Sequence, residues 1–299
     1  MSPRVHLAAL AVFVGLSTSA SAAPATRDWT PVAQALGKAG SVQADGGYRV
    51  PLPRTDLHVV LDGVQLNAGF ALGSWVAFAP MGKGTMVMGD LVLTQDEVGP
   101  VMKSLEENGF EITALHNHLL RAEPMTLYMH VMGEGDPVKL AQTLHAALAL
   151  SKTPFAAPGA APSPADLGID ASAIDKIIGA KGKVNGGVLQ YGIPRRLPVR
   201  DGGMVVPTSL GSAIAINFQP TGDGKAAITG DFVLAASEVN PVLKALRENG
   251  IEVTAIHNHM LDDEPRMFFM HFWANDDAQK LAHGLRAALD NAATVKLGG

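Results

Sequence analysis

The chain has no cysteine in its 299 residues, which excludes disulfide staples, thiol nucleophiles, zinc ribbons, iron–sulfur clusters and lipid attached to an N-terminal Cys. Any metal must then be taken by histidine and carboxylate. Charge is scarce: 17% of residues are Asp, Glu, Lys or Arg, where soluble domains carry about 25%. Lys and Arg number 23 against 28 acidic residues, with no basic run, so the electrostatic footprint of phosphate-backbone binding is missing and no nucleic acid is expected as a partner. No uncharged apolar stretch reaches the ~20 residues of a membrane-spanning helix, so no integral membrane segment is expected in the mature chain. Glycine-rich phosphate loops are absent, and Ser74 and Ser212 follow glycine without a GxSxG elbow. What is present is 47% hydrophobic residues, interrupted throughout by 32 Gly, 19 Pro and scattered charge. That composition excludes disorder and collagen and is enough for two modest cores.

The N-terminus reads as an address. Arg4 precedes an apolar stretch over about residues 7–16 and the small-residue run STSASAAPA, in which Ala20-Ser21-Ala22 fits an A-x-A cleavage site. Residues 1–22 are therefore expected to be a secretory signal peptide cut between Ala22 and Ala23, giving a periplasmic or secreted protein.

The rest is one unit written twice. The segment from Asp90, DLVLTQDEVGPVMKSLEENGFEITALHNHLLRAEPMTLYMH, aligns without a gap on the segment from Asp231, at an offset of 141. Upstream, Pro53-Arg54 answers Pro194-Arg195 and Gly73-Ser74 answers Gly211-Ser212. The expected organisation is repeat unit one over residues 29–152, an Ala/Pro-rich linker over 153–168 and repeat unit two over 169–294.

In copy one, residues 57–61, 74–78 and 85–93 read as strands. Thr94 with Glu97 starts a helix that Asn108-Gly109 ends. Residues 110–120 and 125–132 follow as strands, and Asp136-Pro137 opens a second helix. Strand–helix–strand–strand–helix is a split βαβ-like pattern, so the expected fold is α+β, each unit a mostly antiparallel sheet packed on helices. Segments such as Met267-Phe268-Phe269-Met270-His271-Phe272-Trp273 leave little polar edge for water, and the two units are expected to pack about a pseudo-two-fold axis.

Six histidines fall in two copies of one pattern: His116-Asn117-His118, Glu123, His130, and His257-Asn258-His259, Glu264, His271. On a strand, residues two apart share a face. A hairpin centred on Glu123 would set His116 opposite His130 and His118 opposite Tyr128, giving one three-histidine site in each repeat. Such a site suits a divalent transition metal, with Glu123 or Glu264 as fourth ligand or as general base on a metal-bound water. A hydrogen-bonded structural cluster fits the same residues. Asp90 and Asp231 read as turn carboxylates or ligands, and Glu97 and Glu238 as helix-start residues. Arg54, Arg195 and Tyr128 are weaker candidates for holding a ligand.

LGKxG, the Pro-Arg pair, ENGxExTAxHNHxL, EP and a closing Met-His together make the chain similar to the LppY/LpqO family of exported bacterial proteins, defined by a domain of unknown function. The resemblance implies no activity, substrate or cofactor. It departs from the lipoproteins that name the family, because no Cys follows the signal. Three functional classes stay open: a non-catalytic binding or accessory protein, a metal-dependent enzyme, and a structural envelope protein with a hydrogen-bonded histidine core.

Overall fold

The structure, a computed structural model, describes residues 27–82, 84–156 and 167–298. The segment expected as signal peptide, and residues 157–166 of the expected linker, lie outside the described residues.

Repeat one runs α1 (Thr30–Leu36), β1 (Ser41–Val42), β2 (Tyr48–Pro53), β3 (Val60–Leu61), β4 (Val64–Gln65), α2 (Ala68–Ala71), β5 (Gly73–Met81), β6 (Gly84–Thr94), α3 (Gln95–Glu107), β7 (Glu111–His116), β8 (Thr126–Gly135) and α4 (Pro137–Leu148). Repeat two runs α5 (Ala171–Ile178), β9 (Lys183–Asn185), β10 (Val188–Pro194), β11 (Arg200–Asp201), β12 (Met204–Val205), β13 (Ala213–Gly222), β14 (Lys225–Ala235), α6 (Ala236–Glu248), β15 (Glu252–His257), β16 (Met267–Asp277) and α7 (Ala278–Leu289), with a single 3-10 turn over Thr208–Leu210. Each repeat makes a six-stranded antiparallel sheet, ordered β1-β2-β5-β6-β8-β7 and β9-β10-β13-β14-β16-β15, plus a small hairpin, β3–β4 or β11–β12. The architecture is duplicated α+β, as the sequence pattern implies.

Local chemistry sets the helix ends. The Glu97 carboxylate accepts the Thr94 N–H at 2.9 Å where α3 begins, and Gly109, in the left-handed region at φ 83°, lies just past its end. Asp136 accepts the N–H groups of Val138 and Lys139 at the start of α4, with Pro137 in the first turn.

The helices of each repeat cover one face of its sheet, and the other faces of the two sheets meet. Val50, Phe78, Leu91, Leu105 and Leu144 form the core of repeat one beneath its helices. From the opposite face, Ala77, Ala79, Met86 and Met88 join the apolar cluster of repeat two. Val188, Ala227 and Trp273 pack in return with Phe70, Val92 and Tyr128. The result is a helix–sheet–sheet–helix sandwich, which explains why the central strands β6 and β16 are apolar on both faces. Polar contacts repeat across the pseudo-two-fold: Arg49 donates to the Ser209 carbonyl at 2.6 Å, and its counterpart Gln190 donates to the Gly69 carbonyl at 2.8 Å.

Three local expectations are corrected. The strand expected over 57–61 is reduced to Val60–Leu61, and that over 110–120 to Glu111–His116. Strand β2 carries Pro51 and Pro53 and gives no strand signal, yet it pairs with both β1 and β5. The third correction is the register. His116 faces Tyr128, and His130 faces Ala114 across a bulge between Ile112 and Ala114. The loop is no symmetric turn because Glu123 exchanges two backbone hydrogen bonds, 2.8 and 2.9 Å, with Val60 of β3. Glu264 does the same with Arg200 of β11.

Candidate metal centre

His116 and His257 end the edge strands β7 and β15, and His118 and His259 follow two residues later. His130 and His271 lie in the middle of β8 and β16, paired directly with Asp90 on β6 and Asp231 on β14. Because the sheets face one another, the two histidine clusters expected separately in each repeat are one assembly. His116 stacks on His257 with ring centres 3.4 Å apart, His118 on His271 at 3.6 Å, and His130 lies over His259 at 3.7 Å. The outer faces are closed by Tyr128 on His118 at 3.4 Å and Phe269 on His259 at 3.5 Å. Two groups of ligand atoms lie within 4.8 Å of one another: His116, His118, His130 and His257, and Asp231, His257, His259 and His271. The first of these crosses the repeat boundary.

The backbone dictates which ring nitrogens face inward. His271 Nδ1 lies 2.7 Å from the Gly230 carbonyl oxygen and His257 Nδ1 lies 2.9 Å from that of Asn258. A carbonyl only accepts, so both Nδ1 atoms carry the proton, and in a neutral imidazole Nε2 is then a bare acceptor. His116 makes a longer version of the same contact to Asn117, at 3.4 Å, and His130 is bonded to the Gly89 backbone. Gly230 is required there: a Cβ would sit 2.0 Å from the Ala215 carbonyl oxygen on the neighbouring strand. The Nε2 atoms of His116, His118, His130 and His259, with Oδ1 of Asp90 and of Asp231, are buried and have no hydrogen-bond partner. The two remaining Nε2 atoms, of His257 and His271, lie 2.8 Å from each other.

Burial sets the protonation states. It drives the His116 imidazole down to about 3, with His257 adding to the shift, and that of His257 to about 4. Burial first, then the neighbouring imidazoles, holds His118, His130, His259 and His271 well below the ordinary range. Burial pushes the Asp90 carboxyl up to about 7 against the opposing Arg49 charge, and that of Asp231 well above the ordinary range. Without a cation the centre therefore holds neutral imidazoles and protonated carboxyls at acidic to neutral pH.

Other candidates fall elsewhere. Glu123 and Glu264 are exposed and outside both groups. The Tyr128 hydroxyl donates to the Ala71 carbonyl at 2.7 Å, which leaves its ring as a stacking surface. Arg54 and Arg195 are buried in ion pairs with Glu97 and Glu238, at 2.7 and 2.8 Å. Of the two readings of Asp90 and Asp231, turn carboxylate or ligand, the turn is corrected: both lie inside strands, β6 and β14. The available signal was a carboxylate interrupting a largely apolar run, VMGDLVL in copy one and ITGDFVL in copy two.

The family model described as Domain of Unknown Function (DUF1259) matches twice, over residues 30–150 and 172–291. The chain belongs to this family and carries its domain in duplicate. No curated protein matches the chain. A solved trimeric bacterial microcompartment shell protein, PduB, is similar at 11% identity and a TM-score of 0.23, covering 87% of this chain and 97% of that one. A likeness at that TM-score carries no argument. Among the described residues, no helix is long and apolar enough to cross a membrane.

Proposed function

We propose that this DUF1259 protein is an exported transition-metal-binding protein whose centre is shared by its two repeats. One observation carries the reading: two imidazole acceptors, His257 Nε2 and His271 Nε2, face each other at 2.8 Å while both partner nitrogens are committed to carbonyl oxygens. Two lone pairs at that distance repel. The contact needs a positive centre beside it, either a proton on one ring, which burial opposes, or a metal ion. The orphaned nitrogens and carboxylate oxygens around it supply the remaining ligands. Ring spacing agrees: His116 lies 4.9 Å from both His118 and His130, and a metal about 2.0–2.1 Å from each nitrogen holds imidazole centres roughly 5 Å apart. Neutral nitrogen with carboxylate suits zinc, copper, nickel, manganese or iron.

A binding or accessory role fits better than hydrolysis, because both turn glutamates stand outside the centre. Export rests on the pattern of residues 1–22, and a place among LppY/LpqO-type proteins on the repeated ENGxExTAxHNHxL string.

Elemental analysis of tag-free protein tests the reading. Wild type is expected to retain about 1–2 transition-metal ions per chain, and His116→Ala/His118→Ala to lose most of them. Metal-free wild type that shows no stabilisation with any of the five metals would overturn the proposal and leave the histidines as a structural cluster.

A further inference from the structure

A small cavity borders the histidine centre, lined in part by Trp75, Met88, His130 and Met132 of repeat one and by His259 and Met260 of repeat two. Strand register brings these groups together. Asp90 pairs with His130, and two residues along the same strands Met88 pairs with Met132. Residues two apart share a face of a strand, so both methionines stand beside His130 on the inner face of their sheet. Met260 comes from the opposite repeat, directly after His259. Met88 and Met260 are buried, while Trp75 and Met132 are half-buried and form the mouth.

The same place in repeat two is built differently. The offset of 141 takes Met88 to Thr229, Met132 to Trp273 and Met260 back to Leu119, and Thr229 pairs with Trp273 two residues along from the pair Asp231 and His271. Trp273 fills the space there. Its ring meets Phe70 edge-on at 6.2 Å, and its N–H donates at 3.0 Å to Asp62, which Arg121 in turn ties to Glu252. Apolar packing by itself would accept leucine at all three methionine positions. It does not account for the floor of the cavity, where Nε2 of His130, a residue 3% exposed, and Nε2 of His259 are buried without a hydrogen-bond partner. Three thioethers and a bare imidazole nitrogen facing one cavity make a ligand set that only one side of the molecule carries.

We propose that copper(I) is the ion this protein takes, bound at this cavity by the thioethers of Met88, Met132 and Met260 with Nε2 of His130. Soft sulfur beside neutral nitrogen selects copper(I) over zinc, nickel, manganese and iron. Among the described residues no acidic side chain lines the cavity, so it offers nothing to a harder divalent ion. The Arg49 guanidinium lies 3.8 Å from the centre of the Trp75 ring at the mouth, and its repulsion grows with the charge on the ion, which favours a monovalent one. The inference rests on the histidine centre being a metal site and names the ion.

Anaerobic titration of the metal-free, tag-free full chain with copper(I), in competition with the chromophoric chelator bicinchoninate, tests it, with zinc as the control. Wild type is expected to withdraw copper(I) from the chelator. Met88→Leu/Met132→Leu/Met260→Leu conserves volume and removes the sulfurs; its copper(I) affinity should fall at least about tenfold, while zinc uptake by the histidines stays unchanged. Should that variant misfold or lose zinc as well, X-ray absorption at the copper edge of the wild-type complex decides, and it should show sulfur beside nitrogen around the ion. Nitrogen and oxygen neighbours alone, a folded variant that binds copper(I) as wild type does, or a wild type that takes zinc but no copper(I) would overturn this inference and leave the histidine centre standing. Wild type that takes neither ion would overturn both.

Discussion

Arg54 and His116 sit on the same repeat, the first fully buried and the second half-buried, and their surroundings are opposite. The Arg54 guanidinium places five hydrogen bonds: two to Asp56, two to Glu97 and one to the Val92 carbonyl. Glu97 in turn accepts the Thr94 and Lys152 N–H groups. Repeat two copies the arrangement with Arg195, Glu238, Val233 and the N–H groups of Ala235 and Ala293, without a counterpart of Asp56. Around His116, by contrast, four ring Nε2 atoms and one carboxylate oxygen each of Asp90 and Asp231 are buried without a hydrogen-bond partner. A fully answered buried network specifies structure, whereas an unanswered one costs stability and persists where something else completes it. The contrast makes distinct predictions for the two regions.

The largest effect is expected at the answered network. Arg54→Ala leaves Glu97 buried and unpaired and should lower the unfolding free energy by about 3–5 kcal/mol in urea titrations. Arg195→Ala should cost less, since that guanidinium holds one carboxylate instead of two, and metal content should not change in either variant. Equal costs would break the argument that Asp56 matters.

Acidification of chelated protein comes next. The histidines are held below their unfolded value of ~6.5, so their contribution to stability is complete above that pH and lost as pH falls toward their folded values, about 3 for His116 and 4 for His257. Asp90 and Asp231 are raised and act with the opposite sign: their contribution is present at low pH and lost as pH rises toward 7. Six imidazoles outweigh two carboxyls, and stability should decline between about pH 6.5 and 4, by up to about 1.4 kcal/mol per pH unit for each net proton. Glu97 and Glu238, held below the ordinary range, extend the loss below about pH 4.3. A stability that is flat from pH 7 to 5 would contradict the buried neutral histidines.

At the unanswered centre, Asp231→Asn keeps the shape and removes the charge that a cation would draw out. Metal affinity should fall at least 10–100-fold, while the metal-free protein changes by less than about 1 kcal/mol. A large loss of metal-free stability would instead mark Asp231 as structural. The smallest effect belongs to Arg121, whose side chain and both partners are largely exposed. Arg121→Ala should cost no more than about 1 kcal/mol and less in high salt, by thermal or chemical unfolding.

The sequence alone determined what local chemistry and repetition encode. The duplication, the α3 and α4 caps at Thr94 and Asp136, and the grouping of six histidines into two copies were all legible, because caps act over three residues and a repeat needs no structure to be seen. Strand β2 was not legible, since its prolines hide a pairing that only its neighbours on both sides reveal. Nor was the register at His116: a backbone contact from Glu123 to Val60, distant in sequence, shifted the expected hairpin by two residues. The tertiary structure alone decided that the histidines form one centre instead of two. It also decided that Asp90 and Asp231 face that centre while Glu123 and Glu264 do not, and that Arg54 and Arg195 are consumed internally. The reason is physical: which faces of two sheets meet depends on packing between strands more than a hundred residues apart, and no window of sequence carries that information.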